Sequence, residues 1–382
     1  MLKEYRPSEI VNLKLHGRTN NTKDPVTLFW SASGIEMNVK ACEIRIRYYA
    51  DFDVFEPWID VLVNGVRYQR RPLEKGTHEI SIWRSTEAAN GEEIPVRNIK
   101  ILRDTPAMAG DASTTVQIEA IYSDGSFEKI EEPKLKLEFI GDSITSGEGC
   151  MGPTSEMNWN SACFDVIDHY AFMAARELSA DYQLFSQSGW GFCWSWYGNP
   201  AENMPAHYDK VCSLVPKGKL EKLGAFEENE AAGFEPDVII VNLGTNDIGA
   251  FSDAAHDNAR AMNFDNTHSY TADKKINERD RETLHNGAVS FLSHLREKHP
   301  KAKLIWAYGM LLADDSEELT DEMSGLLEGA VSSYAKDSND DNAFYLRLPL
   351  TEEDGFGARF HPGHKSHENT AKCIADFIRS RM

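Results

Sequence analysis

The chain contains 382 residues, of which 41% are hydrophobic and 26% charged, a composition typical of folded globular proteins and a length that suits two domains. Its formal charge is −21, from 40 basic and 61 acidic residues, which disfavours nucleic acid and anionic membranes as partners because both require a positive protein surface. No apolar run approaches the roughly 20 residues of a membrane-spanning helix, and the first residues lack the apolar core of a signal peptide. We therefore expect a cytoplasmic protein, or a secreted one if a leader was removed.

Residues 1–132 are predicted to form a β domain. Short β-type runs with polar breaks follow one another without intervening helices, at 26–30, 43–49, 59–63, 78–83, 99–102 and 115–121. Several alternate apolar and polar residues, which predicts one buried and one wet face, and Asn64-Gly65 is a hairpin signal. The pattern predicts an antiparallel β-sandwich or jelly roll, ending at the charged, proline-containing junction of residues 131–134.

From residue 133 to 382 the pattern changes to alternating strands and helices. Apolar runs predict strands at 136–141, 182–187, 237–243, 303–309 and 343–348. Amphipathic segments between and after them predict helices at 166–179, 277–298, 317–337 and 365–381. Five short strands separated by helices indicate a three-layer α/β/α domain with a five-stranded parallel sheet.

Four polar blocks follow the carboxyl ends of these predicted strands, where open α/β sheets place their sites. Ser143 follows the first strand, Gly189 the second, Asn246 the third and His361 the fifth. Ser143 is a candidate nucleophile with His361 as its base, and the N–H groups of Ser143 and Gly189 with the Asn246 amide are candidate oxyanion donors. The alternative is an ordinary strand-to-helix turn in which Ser143 is a cap. Asp142, beside the serine, and Asp247 are interpreted as turn and loop braces.

The same blocks resemble those of the SGNH (GDSL-type) hydrolase superfamily, in the order Gly141-Asp142-Ser143, Gly189, Gly244-x-Asn246-Asp247 and His361-Pro362. The β half, together with Gly147-Glu148-Gly149, resembles carbohydrate esterase family 2, whose members remove O-acetyl groups from plant polysaccharides such as xylan and mannan. The resemblance implies Ser143 as nucleophile, His361 as base, and Ser143, Gly189 and Asn246 as the oxyanion hole. It implies an acetylated xylo- or manno-oligosaccharide as partner, with no metal and no organic cofactor.

The sequence departs from the superfamily at the residue that orients the histidine. Typical members carry an aspartate three residues before it, and Ala358 occupies that position here. Either a backbone carbonyl holds the imidazole N–H, giving a Ser–His dyad, or Asp354 folds back to do so. We favour the carbonyl, because a neutral acceptor can fix the tautomer at some cost in imidazolium stabilisation.

Three tryptophans just past Gly189, at 190, 194 and 196, are candidate substrate-binding residues. Trp190, Trp194 and Trp196 form either a sugar-stacking platform or a hydrophobic rim. Two other functions remain open, namely a lipase or thioesterase of the same superfamily and a glycan-binding protein with an inert hydrolase domain. Six scattered cysteines form no metal-binding pattern and are expected to be reduced, and the sequence gives no oligomeric state.

Overall fold

The computed structural model describes residues 1–20, 22–230 and 234–382, which form two compact units. Unit 1 comprises Met1–Pro133, Trp159–Ile167 and Asp209–Ala232, and unit 2 comprises Lys134–Asn158, Asp168–Tyr208 and Gly233–Met382. Two segments of the predicted second domain therefore group with the β-rich residues, which the sequence did not indicate. Within the described residues, the helices are too short or too polar to cross a membrane.

The secondary structure elements are numbered in chain order. The strands are β1 (Lys3–Tyr5), β2 (Lys14–His16), β3 (Val26–Thr27), β4 (Gly34–Lys40), β5 (Glu43–Asp51), β6 (Trp58–Val63), β7 (Val66–Pro72), β8 (Gly76–Arg84), β9 (Arg97–Arg103), β10 (Thr115–Ser123), β11 (Ser126–Glu128), β12 (Lys136–Gly141), β13 (Asp181–Ser186), β14 (Val238–Asn242), β15 (Lys303–Tyr308) and β16 (Ala343–Arg347). The helices are α1 (Glu87–Asn90), α2 (Ser143–Ser146), α3 (Tyr170–Glu177), α4 (Lys219–Lys222), α5 (Thr245–Gly249), α6 (Asp253–Ala261), α7 (Glu278–Lys298), α8 (Glu317–Ser338) and α9 (His364–Arg379).

Unit 1 is built on two antiparallel sheets. One has the strand order β1-β10-β5-β8, with β3 paired to β10, and the other has the order β11-β4-β9-β6-β7, with β2 paired to β4. Strand β5 alternates between buried and half-buried residues, and its inward side chains join those of β4, β9 and β10 in one apolar core. The predicted antiparallel β architecture is confirmed, and so is the hairpin at Asn64 (φ 51°) and Gly65 (φ 78°) between β6 and β7. The jelly-roll topology stays a prediction.

Unit 2 contains the five-stranded parallel sheet, in the order β13-β12-β14-β15-β16. The prediction is confirmed, and the first strand has the predicted bounds. The central strands β12 and β14 are buried along almost their whole length, as parallel strands covered on both faces must be. Helix α3 packs on α9 and on β13, while α7 and α8 pack on each other and on β15.

Within unit 1, three buried carboxylates meet two arginines. Oxygen atoms of Asp60, Asp104 and Asp165 lie within 4.8 Å of one another, and none of the three residues is exposed. Arg67 bridges Asp60 (Nε to Oδ1, 2.8 Å) and Asp165, while Arg70 Nε donates to Asp104 Oδ2 at 2.8 Å. Burial, reinforced by the negative charge of Asp104, raises the pKa of Asp60 to about 8. Burial thus favours the protonated form of Asp60, and the two arginines pair with the carboxyl groups of the cluster.

The same cluster holds the segment Trp159–Ile167 onto the β strands of this unit. Arg70 donates to the carbonyl oxygens of Ala162 (3.1 Å) and Phe164 (2.5 Å). Asp104 accepts the backbone N–H of Val166 at 2.9 Å through its second oxygen. Charged hydrogen bonds thus attach a segment that is separated from the β strands along the chain.

Replacing Asp60 by asparagine should remove part of the pH dependence of stability. An aspartate that has a pKa of about 8 when folded and about 3.9 when unfolded releases its proton on unfolding, so the free energy of unfolding falls as the pH rises between these values. The maximal slope is about 1.4 kcal/mol per pH unit. Asp60→Asn keeps the acceptor for Arg67 without this proton release, so its urea midpoint should fall less than that of the wild type between pH 5 and pH 8.

Asp104→Asn is the matched control for this experiment. Both oxygens of Asp104 accept hydrogen bonds, from Arg70 and from the Val166 N–H, so an amide would turn a donor toward a donor. We expect this variant to be destabilised across the pH range. Parallel pH profiles for the wild type and Asp60→Asn would contradict the assignment of the proton to Asp60.

Candidate active site

Strand β12 ends in a tight turn that presents Ser143. The Asp142 carboxylate caps the one-turn helix α2 by accepting the Ile144 N–H at 3.0 Å. At Gly141 an added Cβ would lie 1.9 Å from the Thr145 hydroxyl, so the turn requires glycine there. Because Asp142 is the cap, the alternative reading of Ser143 as a capping residue is wrong. Ser143 is 8% exposed.

The Ser143 hydroxyl contacts the imidazole of His361. The distance from Oγ to Nε2 is 3.0 Å, and Nδ1 lies 3.2 Å from the backbone oxygen of Arg359. A carbonyl only accepts, so Nδ1 must carry the proton that it donates, and Nε2 is then the acceptor that faces the serine hydroxyl. This is the geometry of a nucleophile with its general base.

The structure decides between the two predicted orienting groups of His361 in favour of the backbone carbonyl. The carboxylate of Asp354 instead bonds Lys365 Nζ at 2.7 and 3.0 Å, and this hydrogen bond holds the pKa of Asp354 below its usual range. The Asp354 side chain is 73% exposed. The prediction that Asp354 folds back onto the histidine is therefore wrong, because Lys365, the second residue of α9, binds its carboxylate at the protein surface.

The three predicted oxyanion donors lie in loops that the structure brings together. Asn246 Nδ2 donates to Asp142 Oδ2 at 3.1 Å and to the Trp190 carbonyl at 3.2 Å, the residues directly beside Ser143 and Gly189. Among the described residues, no acceptor takes the backbone N–H of Ser143 or of Gly189. Both N–H bonds of the Asn246 amide have acceptors, so donation to a substrate oxygen requires one of them to be shared. The donor roles stay predictions.

The loop aspartates act as braces, as the sequence analysis interpreted them. Asp247 is fully buried and accepts the backbone N–H groups of Phe192 (3.0 Å), Cys193 (2.8 Å) and Trp194 (3.4 Å). Burial raises the pKa of Asp247 to about 7, and burial likewise raises the pKa of Asp142 to about 7. Each carboxyl group fixes a loop at the sheet edge by accepting from its backbone.

The three tryptophans do not form a common platform, so the sugar-stacking platform, one of the two alternatives predicted for them, is wrong. Trp194 is 3% exposed and donates from Nε1 to the Asp247 carbonyl oxygen at 2.8 Å. Its ring stacks on that of His268, with 3.9 Å between the ring centroids. Trp190 is 6% exposed and packs on His207. The bonds of Asp247 to residues 192–194 turn this segment inward, which buries Trp194. Trp196, half-buried against Gly189, is the one of the three that keeps a substantial exposed surface.

Glu148 is a buried acidic residue of this site to which no role was assigned from the sequence. Its side chain is 3% exposed, accepts the Ser188 hydroxyl at 2.6 Å through Oε2 and pairs with the Arg359 guanidinium through Oε1. Its backbone N–H donates to the Ser143 carbonyl at 3.0 Å. The signal was Gly147-Glu148-Gly149, because at Gly149 (φ 74°) an added Cβ would lie 2.4 Å from the Cβ of His361. Glycine there permits the close approach of residues 357–363, which precede α9 and are called the histidine loop below.

Solved structures match the fold over both units. An acetyl xylan esterase from the rumen bacterium Butyrivibrio proteoclasticus is 32% identical, with a TM-score of 0.90 and coverage of 100% of this chain and 98% of that one. A family two carbohydrate esterase from Clostridium thermocellum, in complex with cellohexaose, is 20% identical, with a TM-score of 0.77 and coverage of 97% and 98%. The similarity to the second protein shows the shared fold. The resemblance of this chain to family 2 carbohydrate esterases is thereby confirmed.

The chain is also similar in sequence to curated carbohydrate esterases. An acetylxylan esterase / glucomannan deacetylase of Cellvibrio japonicus (strain Ueda107) is 27% identical over 245 residues, which is 61% of this chain and 58% of that protein. The chain spans 37% to 58% of the length of the curated relatives it matches. The GDSL-like Lipase/Acylhydrolase family matches residues 139–368, a range that holds Ser143, Asn246 and His361. Since this match covers more than half of the chain, the protein belongs to the GDSL-like lipase/acylhydrolase family.

Proposed function

We propose that the protein is a carbohydrate O-acetyl esterase that removes acetyl groups from xylo- or manno-oligosaccharides through a covalent Ser143 intermediate. The observation that carries the proposal is the 3.0 Å contact between Ser143 Oγ and His361 Nε2, with Nδ1 held by the Arg359 carbonyl. A serine hydroxyl is a weak nucleophile until a base accepts its proton. This pair supplies both groups in the required tautomer.

The proposed reaction has two half-steps. Ser143 Oγ attacks the acetyl carbonyl carbon while His361 Nε2 takes the hydroxyl proton, and the negative charge that develops on the carbonyl oxygen is stabilised by the N–H groups of Ser143 and Gly189 and by the Asn246 amide. The ester C–O bond then breaks and His361 returns the proton to the sugar oxygen. Water then attacks the acetyl-enzyme while His361 takes its proton. The bond between the acetyl carbon and Ser143 Oγ breaks, His361 returns the proton to Oγ, and acetate leaves.

The substrate class follows from the relatives together with the charge of the chain. The names of the Butyrivibrio and Cellvibrio proteins state acetylated xylan and glucomannan as their substrates, and the Clostridium protein was solved with a cello-oligosaccharide. A neutral acetylated sugar is not repelled by a formal charge of −21, whereas a polyanionic substrate would be. We further propose a cytoplasmic location, with which the free thiols of Cys42, Cys193, Cys212 and Cys373 agree.

Ser143→Ala and His361→Ala should each abolish acetate release. The first removes the attacking oxygen and the second removes the base, so both should lower kcat by about 10³-fold or more. The measurement is NMR-monitored deacetylation of acetylated xylo- and manno-oligosaccharides, which reports the sugar and the acetyl position together. His364→Ala, an exposed histidine on the same segment, is the control and should keep full activity. Full activity of Ser143→Ala would refute the mechanism.

Asn246→Ala should lower kcat with a smaller effect on KM. Removing one oxyanion donor costs about 2.7–4 kcal/mol of transition-state stabilisation, or about 10²–10³ in kcat. Asn258→Ala, on the exposed face of α6, removes an amide that bonds only its own helix and should leave kcat unchanged. A kcat within about twofold of the wild type for Asn246→Ala would remove this residue from the oxyanion hole.

Ester chain length separates the proposal from a lipase-type activity. With p-nitrophenyl esters from acetate to octanoate, an acetyl esterase should be most active on acetate and should lose activity as the acyl chain lengthens beyond butyrate. Activity that rises with chain length would favour a lipase or thioesterase. Binding of oligosaccharide without turnover of any ester would show an inert hydrolase unit. Ser143→Ala is the blank for every ester.

A further inference from the structure

One buried carboxylate lies in, or contacts, three of the four loops that carry the proposed catalytic groups, namely those of Ser143, Gly189 and His361. Glu148 is 2% exposed and lies in the loop that follows Ser143. Its Oε2 accepts from Ser188, which precedes Gly189, and its Oε1 pairs with Arg359, which precedes the histidine loop's His361 by two residues. A buried carboxylate without partners would be strongly destabilising, so these contacts constrain both neighbouring loops.

The backbone of the histidine loop is held in an unfavourable conformation at this point. Arg359 has φ 56° and ψ 29°, and Phe360 has φ 52°, so two successive residues with side chains occupy the left-handed region. Such conformations cost on the order of 1 kcal/mol or more each and persist only where the surroundings impose them. Arg359 is held from two sides, since its N–H donates to the Glu156 carbonyl at 2.8 Å and its guanidinium pairs with Glu148.

The strained residue is also the one that orients the base. The Arg359 carbonyl accepts the His361 Nδ1–H at 3.2 Å, so the direction of this carbonyl determines which nitrogen faces Ser143. The carbonyl of Arg359 can keep this direction only if the backbone of Arg359 is itself held in place. The ion pair with Glu148 is the side-chain contact of Arg359 that provides this restraint among the described residues.

We propose that Glu148 and Arg359 together are the positioning residues that replace the missing aspartate of this site. In a Ser-His-Asp triad the carboxylate bonds the imidazole directly. Here the carboxylate bonds the side chain of Arg359, and the main chain of Arg359 bonds the imidazole. Through Ser188 the same carboxylate fixes the loop that carries Gly189, so the base and one oxyanion donor share a single anchor. The inference rests on the proposed function, because it concerns the same Ser143–His361 pair.

The test measures kcat and KM separately for Glu148→Gln, Arg359→Met, Arg359→Lys and the double variant Glu148→Gln/Arg359→Met. With p-nitrophenyl acetate as substrate and Ser143→Ala as blank, Glu148→Gln and Arg359→Met should each lower kcat about tenfold or more while KM changes less than about twofold. Arg359→Lys keeps the charge without the planar fork of the guanidinium. On a logarithmic scale of kcat, it should recover about a third or more of the loss seen in Arg359→Met. The double variant should be no slower than the slower single variant, because both substitutions break the same pair.

Arg296→Met is the matched control for a merely structural effect. Arg296 makes a comparable half-buried ion pair with Asp340 in the same unit, at 2.8 Å from Nε to Oδ2, and its loss should lower the melting temperature without changing kcat. Arg359, whose side chain is 32% exposed, tolerates substitution more readily than buried Glu148, so the two Arg359 variants carry the test if Glu148→Gln does not fold. A kcat of Arg359→Met within about twofold of the wild type would overturn the proposal.

A second measurement is independent of activity. In ¹⁵N-histidine-labelled protein, the Nδ1–H signal of His361, assigned by its loss in His361→Ala, should shift or broaden in Glu148→Gln and Arg359→Met but not in Arg296→Met. An unchanged signal would overturn the proposal. If the wild type shows no Ser143-dependent ester turnover, the proposed function fails, and this spectrum still tests the positioning of His361 separately.

Discussion

The parallel pairing of β12 with β13 on one side and β14 on the other is the constraint on which the candidate site depends. In this register Gly141 lies opposite Ser186 and Asn242, so three strands end at the same level. Each then continues into a polar loop, and the residues that follow within a few positions include Ser143, Gly189 and Asn246. The apolar core of unit 2 holds the strands in this register. The loops that follow them therefore lie side by side at the carboxyl edge of the sheet.

Three buried carboxyl groups stabilise these loops at a cost in desolvation. Asp142, Glu148 and Asp247 are each at most 2% exposed, and each accepts hydrogen bonds from loop residues. Burial raises the pKa of Asp142 and of Asp247 to about 7, so both resist ionisation up to neutral pH. Folding therefore favours their protonated forms, and their contribution to stability declines as the pH rises from about 4 to about 7. Groups with such raised pKa values cluster at functional sites.

The sequence predicted what depends on local pattern and missed what depends on distant contacts. Apolar runs gave β12 its bounds of 136–141 and placed β13 one residue from its observed position, because a buried parallel strand is a continuous apolar segment. In unit 1, β7 was missed because its residues are half-buried or exposed and arginine-rich, so the strand lacks an apolar face. The inward orientation of Trp194 depends on Asp247, more than fifty positions away, and the outward orientation of Asp354 depends on Lys365. No local pattern encodes such partners.

Because His361 is oriented by a neutral carbonyl, its function depends more on precise geometry than it would if a charged carboxylate bonded the imidazole. A carboxylate bonded to the imidazole fixes the tautomer and also stabilises the imidazolium that forms during reaction, whereas a carbonyl provides the first effect with a weaker second one. The carbonyl must then stay aligned through both half-steps. The loop is built for this, because an added Cβ at Gly357 would lie 1.9 Å from the Gly149 carbonyl and one at Gly149 would lie 2.4 Å from the Cβ of His361. The backbone around Gly149 therefore packs directly on the backbone of the loop that carries His361. The Glu148–Arg359 ion pair joins the same two segments through their side chains.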